Sequence, residues 1–200
     1  MARPVAKDYG AKRRLILDRA AQLFADEGFD RTSVSRVATA CEISKANVYH
    51  YYTSKDEILF DILDAYLSGL RDNIFGLQGT LQHETPEKRF AKTITQILLE
   101  YQGMDNEHRL QTTVLNHLPK EQQQVLLDYQ RDIVRLMSKL ISDIAPQVFA
   151  KQRAKLHATT MSVFGMLNWY YMWNSNANAQ DRREYAAHVV SLCESGFIGL

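Results

Sequence analysis

Apolar positions recur at spacings of three and four along nearly the whole chain, and no segment sustains strict alternation. The pattern therefore predicts helices and no sheet. The first helix is expected from about Lys12 to Glu27, with Ile16, Ala20, Leu23 and Phe24 on one face. Gly28 stands where a left-handed residue favours helix termination. Thr32 offers an N-cap for a short helix carrying Val34, Val37 and Ala38. After a turn at Cys41–Ile43, Ser44 can cap a second short helix through Tyr51. Ser54-Lys55-Asp56-Glu57 reads as a capping box, with Glu57 placed to reach back.

The helix that follows is long. Ile58, Leu59, Ile62, Leu63, Tyr66, Leu67, Leu70, Ile74 and Phe75 hold its stripe until Gly76 and Gly79. Thr85-Pro86 opens the next, with proline at its first position, Phe90, Ile94, Ile97, Leu98 and Tyr101 inside, and Gly103 at its end. A shorter stretch holds Leu110, Val114, Leu115 and Leu118 before Pro119. Leu126, Tyr129, Ile133, Leu136, Met137, Leu140 and Ile144 form a further helix, stopped by Pro146. Two last helices are expected at roughly 150–174 and 181–198, joined by the polar loop 174–180. The fold class is thus all-α: a small helical domain over residues 1–55, then a helical domain over 56–200.

Composition agrees with a globular chain. Of 200 residues, 46% are apolar and 24% charged. No apolar run is long enough for a membrane span, and the polar start after Met-Ala-Arg-Pro carries no secretory h-region. Cys41 and Cys193 stand apart, with neither a metal-ligand spacing nor a disulfide framework. These features place the chain in the cytoplasm. The charge is asymmetric: residues 1–55 hold ten Lys/Arg against six Asp/Glu, and the remainder holds 14 against 17. A basic head on a mildly acidic body suits a polyanion binder with a second task.

The stretch from Thr32 to Lys55, two short helices across a tight turn, has the form of a helix-turn-helix. Val48 and Tyr52 would face inward. Lys45, Asn47, Tyr49, His50 and Tyr51 would remain outside, offering donors for phosphate, an amide for base edges and flat rings for sugar and thymine methyl. A solvated surface helix would carry the same residue types, and composition does not separate the two.

The run Ala20-Ala-Gln-Leu-Phe-Ala-Asp-Glu-Gly-Phe-Asp-Arg-Thr-Ser-Val-Ser-Arg-Val-Ala38 and the run Ser44-Lys-Ala-Asn-Val-Tyr-His-Tyr-Tyr-Thr-Ser-Lys-Asp-Glu-Ile-Leu59 resemble the DNA-binding domain of TetR-family repressors. The resemblance covers roughly residues 12–59. It implies an all-helical homodimer that represses transcription from a double-stranded DNA operator and is released by a small-molecule effector. It implies phosphate contacts for Thr32, Lys45, Tyr49 and Lys55, with Asn47, His50 and Ala46 near base edges and Ser44 and Tyr51 beside them. Two positions depart from the family pattern. Glu42 replaces the usual glycine of the turn, where a positive φ is demanding for a side chain, and Tyr52 replaces the commoner phenylalanine.

The C-terminal body is read on its own residues. Met161, Val163, Phe164, Met166, Leu167, Trp169, Tyr170, Tyr171, Met172 and Trp173 make one helix apolar nearly all round, so it must bury two faces. The last helix adds Tyr185, Val189, Val190, Leu192, Cys193 and Phe197. A two-fold interface built on these helices, through Phe164, Trp169, Val189, Leu192 and Phe197, accounts for both, with a purely intramolecular core as the alternative. The segment from Phe164 to Trp173 also resembles, over about ten residues, the corresponding helix of TetR-type repressors that respond to acyl-CoA thioesters. That likeness implies an apolar-tailed acid or its thioester as effector, bound between the helices of residues 58–174 near Tyr66, Arg109, Asn168 and Tyr171. Asn168, among aromatics, needs a hydrogen-bond partner, a ligand carbonyl or a backbone carbonyl. Arg71, Arg109 and Arg131 are candidates by position for an anionic head. The scattered histidines show no metal-ligand pairing, no cofactor motif occurs, and no carboxylates sit in a catalytic context. A helical enzyme or protein adaptor with a helix-turn-helix-like start is the competing reading, and nothing like the Ser44–Lys55 run supports it.

Overall fold

A computed structural model describes residues 3–174 and 176–199, with side chains over 9–174 and 176–196. Every regular element among them is helical: α1 (Arg3–Glu27), α2 (Val34–Ala40), α3 (Lys45–Tyr51), α4 (Lys55–Thr80), α5 (Pro86–Glu100), α6 (Asp105–Thr113), α7 (Lys120–Ile144), α8 (Pro146–Phe149), α9 (Arg153–Trp173) and α10 (Ala179–Gly199), with a 3₁₀ turn at Leu115–His117. The chain packs as two compact units. One comprises Met1–Leu67 with Asn106–Leu126, the other Ser68–Asp105 with Leu127–Leu200.

In the first unit, Ile16, Ala20, Leu23 and Phe24 of α1 are buried, as their spacing predicts, with Val37, Ala38, Val48 and Tyr52. Gly28 carries φ +91° and ends α1. The next cap lies one residue later than expected. Ser33 caps α2, its hydroxyl accepting from Arg36 N. Thr32 is buried instead, and its hydroxyl donates to the Gly28 carbonyl at 2.9 Å. Helix α2 closes in a Schellman motif: Ile43 N donates to Ala38 O and Glu42 N to Thr39 O, each at 3.1 Å. Such a motif needs a left-handed residue, and Glu42 takes it at φ +57°. Ser44 then caps α3, accepting from Asn47 N. At the start of α4, Ser54 accepts from Glu57 N, while the Glu57 carboxylate reaches back to Thr53 N at 2.6 Å, one residue before the expected partner.

In the second unit, Thr85 caps α5 with Pro86 in its first turn, and Phe90, Ile94, Ile97 and Leu98 are fully buried. Helix α4 runs through Gly76 and Gly79 to Thr80. Pro146 stops α7 and starts the single turn α8, which periodicity did not reveal. The loop after α9 ends in a reciprocal cap, with Asn178 Oδ1 accepting from Asp181 N and Asp181 accepting from Asn178 N. Arg182, only 2% exposed, donates to the carbonyls of Leu98 and Ala177 and lies 5.6 Å from the Tyr170 ring centroid. Leu98 belongs to the last turn of α5, where carbonyls lack helical partners and the dipole favours a cation.

A side chain in the left-handed region costs about 1–2 kcal/mol that glycine escapes. Glu42→Gly is therefore expected to raise the unfolding free energy by about 1 kcal/mol, part of the gain being lost to the freer unfolded chain. Urea denaturation checks it: the midpoint should rise at constant slope.

Candidate nucleic-acid interface

The helix-turn-helix presents one coherent face. On α3, Val48 is buried, while Ser44, Lys45, Ala46, Tyr49 and His50 are exposed and Asn47 and Tyr51 half-buried. Lys45 Nζ lies 5.6 Å from the Tyr49 ring centroid, so an ammonium and a phenol stand together at one edge. The backbone behind this face is tied down. Arg36 of α2 grips the Glu27 carboxylate, Nη2 to Oε1 at 2.7 Å, which holds Glu27 below its usual range. Tyr52, just beyond α3, is 2% exposed; burial and then the nearby Asp61 charge push its phenol up. Arg13 of α1 pairs with Asp61 of α4 and lies 5.9 Å from the Tyr52 ring centroid.

Two expected phosphate contacts are engaged within the chain. Thr32 is 1% exposed and commits its N–H and its hydroxyl to carbonyls of the preceding turn. The Lys55 ammonium donates to the Phe29 carbonyl at 2.5 Å and sits 4.2 Å from that ring's centroid. Both hold the turn between α1 and α2. Conversely, sequence reasoning missed Tyr9. Its ring packs on Tyr51 at 4.7 Å and meets His50 edge-on at 6.5 Å, adding α1 to the α3 face. Tyr9 precedes the segment whose periodicity was legible, and no local signal marks it.

The expected effector residues fall two in each unit. Tyr66 donates to or accepts from His108 Nδ1 at 3.0 Å in the first unit. Arg109, also there, donates to the Ala25 carbonyl at the end of α1. In the second unit, Asn168 Oδ1 accepts from the Tyr101 hydroxyl at 2.8 Å, so a phenol partners its oxygen. Tyr171 is half-buried. Arg71 pairs with Asp132 at 2.9 Å and Arg131 with Asp128 at 2.8 Å. No group of three or more metal-ligating side chains occurs among the described residues.

The expected interface set divides likewise. Phe164 (6% exposed) and Val189 (0%) belong to the chain's own core and have almost no surface to lose. Trp169 (62%) and Leu192 (52%) are open. The Phe197 side chain lies outside the described residues. On α9, Met161, Trp169, Met172 and Trp173 form an exposed apolar face opposite the buried Val163, Phe164, Leu167 and Tyr170.

Two family models match the chain. Residues 16–62 match bacterial regulatory proteins of the tetR family, and residues 83–197 match the tetracyclin repressor-like C-terminal domain. The chain belongs to the TetR family. A TetR-family transcriptional regulator from Bordetella parapertussis 12822 is 31% identical, with a TM-score of 0.83 over 94% of this chain and 96% of that one. The HTH-type transcriptional repressor KstR2 of Rhodococcus jostii is 31% identical over 54% of this chain and 52% of its own length. AibR, solved in complex with isovaleryl coenzyme A and operator DNA, shares the fold at 22% identity, with a TM-score of 0.73 over 90% of this chain and 97% of that one. The chain spans about half or less of the length of the first curated relatives it matches. These relatives are regulators of transcription, and the exposed face of α3 stands in the part of the TetR chain that the N-terminal family model covers.

Proposed function

We propose that this TetR-family protein is a cytoplasmic repressor that seats α3 in the major groove of a two-fold symmetric operator and leaves it when a small molecule binds. The observation that carries the DNA reading is the α3 face: Lys45, Ala46, Tyr49 and His50 exposed on a helix fixed by the Ser44 cap and the buried Val48. Lys45, Tyr49 and Ser44 serve the phosphates. Asn47, His50 and Ala46 meet base edges, and Tyr51, propped by Tyr9, packs beside them. A selection on random duplex DNA is expected to enrich a palindrome. Asn47→Ala is expected to relax preference at particular base pairs by about 1–3 kcal/mol, whereas Lys45→Ala weakens all sequences alike and lowers the salt dependence. Binding measured across single-base operator variants separates the two, and the absence of any enriched palindrome would remove the reading.

The symmetry comes from a homodimer through α9 and α10. Its support is the uncovered face of Met161, Trp169, Met172 and Trp173, and beside it a groove of about 250 Å³ lined by Ser162, Met166 and Leu192. Covering the exposed half of each such side chain contributes roughly 1 kcal/mol. Leu192→Glu should yield a folded monomer in sedimentation, because Leu192 lies outside the protomer core. Phe164→Glu should instead unfold the chain, since it buries a charge.

For the effector, the reading is an apolar-tailed acid or its CoA thioester. Its support is the aromatic segment from Phe164 to Trp173 and the fold shared with AibR, which was solved with isovaleryl coenzyme A. By reciprocity, a ligand that lowers operator affinity binds less tightly to the DNA-bound form. Operator release assayed across acyl-CoA chain lengths and free acids is expected to show about 5–150-fold weakening for the cognate chain. Operator affinity unchanged by every one of them excludes this class.

A further inference from the structure

Helix α1 begins well before the core requires it. From Tyr9 to Leu15 it buries no side chain, and its buried stripe starts at Ile16. Tyr9 is nonetheless engaged. Its ring lies 4.7 Å from that of Tyr51, tilted by 33°, and meets His50 edge-on at 6.5 Å. His50 and Tyr51 meet edge-on at 5.5 Å, so three rings pair with one another at aromatic contact distances. None of the three is buried, and core packing therefore does not account for the cluster. One turn further along the same face of α1, Arg13 lies 5.9 Å from the Tyr52 ring centroid and pairs with Asp61. One face of α1 thus braces the end of α3 at two points.

That end is where bracing matters. Helix α3 has seven residues and stops at Tyr51, because Tyr52 is extended at φ −140° and ψ 128°. His50 and Tyr51 stand in its last turn, where an unsupported side chain moves among its rotamers. Ordering such a ring on DNA costs affinity, and a ring that turns can meet more than one base. We infer that Tyr9 is a positioning residue for base recognition. Packed on Tyr51 and His50, it holds both rings in one orientation before DNA arrives, so the operator's base preference depends on the first turns of α1. The inference rests on the DNA reading above and adds to it a residue outside the helix-turn-helix.

Affinities of the full chain and its variants across single-base changes in the selected operator test the inference. Tyr9→Ala should reduce discrimination at the base pairs that His50→Ala and Tyr51→Ala also relax. The expected reduction is about threefold to tenfold, the worth of an aromatic pair. The slope of affinity against salt should stay the same, because no phosphate contact is lost. Tyr9→Phe keeps the ring and should discriminate as the unaltered chain does. In a chain already carrying His50→Ala and Tyr51→Ala, Tyr9→Ala should change nothing further. Discrimination is a ratio of affinities, so it is read equally well from a variant that folds less completely. Unchanged base preference in Tyr9→Ala, an equal loss in Tyr9→Phe, a further loss in the His50→Ala, Tyr51→Ala chain, or a shallower salt slope would each overturn it. A selected operator read identically without Tyr9 removes this inference alone. Failure of the unaltered chain to select any site removes the DNA reading and the inference together.

Discussion

Backbone carbonyls at the end of α1 have no helical partners, and the turn into α2 is partly buried, so each must be satisfied by something else. Gly28 supplies the left-handed backbone that bends the chain. Thr32 gives its hydroxyl to the Gly28 carbonyl, Lys55 its ammonium to Phe29, and Arg109 its guanidinium to Ala25. Three residues from α6, α4 and the turn itself thereby fix the direction in which α2 and α3 leave α1. The exposed face of α3 is an outcome of that constraint. Lys45, Tyr49 and His50 point outward because Val48 and Tyr52 are buried behind them, and the turn decides what lies behind them.

The same requirement accounts for Thr32 and Lys55, whose polar groups serve the turn between α1 and α2. A buried hydroxyl or ammonium left unpaired costs about 1–3 kcal/mol or more. A residue that satisfies a turn carbonyl is therefore constrained as tightly as one that meets a phosphate. Arg182 plays the corresponding part in the second unit. It closes the last turn of α5, beneath the stacked rings of Tyr170 and Tyr185, which lie 4.3 Å apart. With one face of α9 occupied by this core, the other carries tryptophans and methionines that the chain does not cover.

Periodicity and capping residues made most of this fold legible. The apolar stripes of α1, α4, α5 and α7, the stops at Gly28 and Gly103, and the caps at Ser44, Ser54 and Thr85 all depend on local steric and hydrogen-bonding rules within a few residues, which sequence carries directly. The strained Glu42 was legible only through the family resemblance, which has glycine at that position of the turn. The cap at Ser33 was missed by one position because Thr32 and Ser33 are equally good cap residues, and burial of Thr32 chose between them.

What sequence by itself determined is the helical class, the order of the helices, and the helix-turn-helix with its outward residue set. Tertiary structure decided the pairings. It brought residues 106–126 into the unit of α1 to α3, set Tyr9 against Tyr51, paired Arg71 with Asp132, and turned Phe164 and Val189 inward while leaving Trp169 and Leu192 exposed. The reason is physical. A helical stripe records that a face is buried but not against which partner. A polar side chain that can serve a phosphate, a carboxylate or a stranded carbonyl is assigned only by what lies within about 3 Å of it in the folded chain.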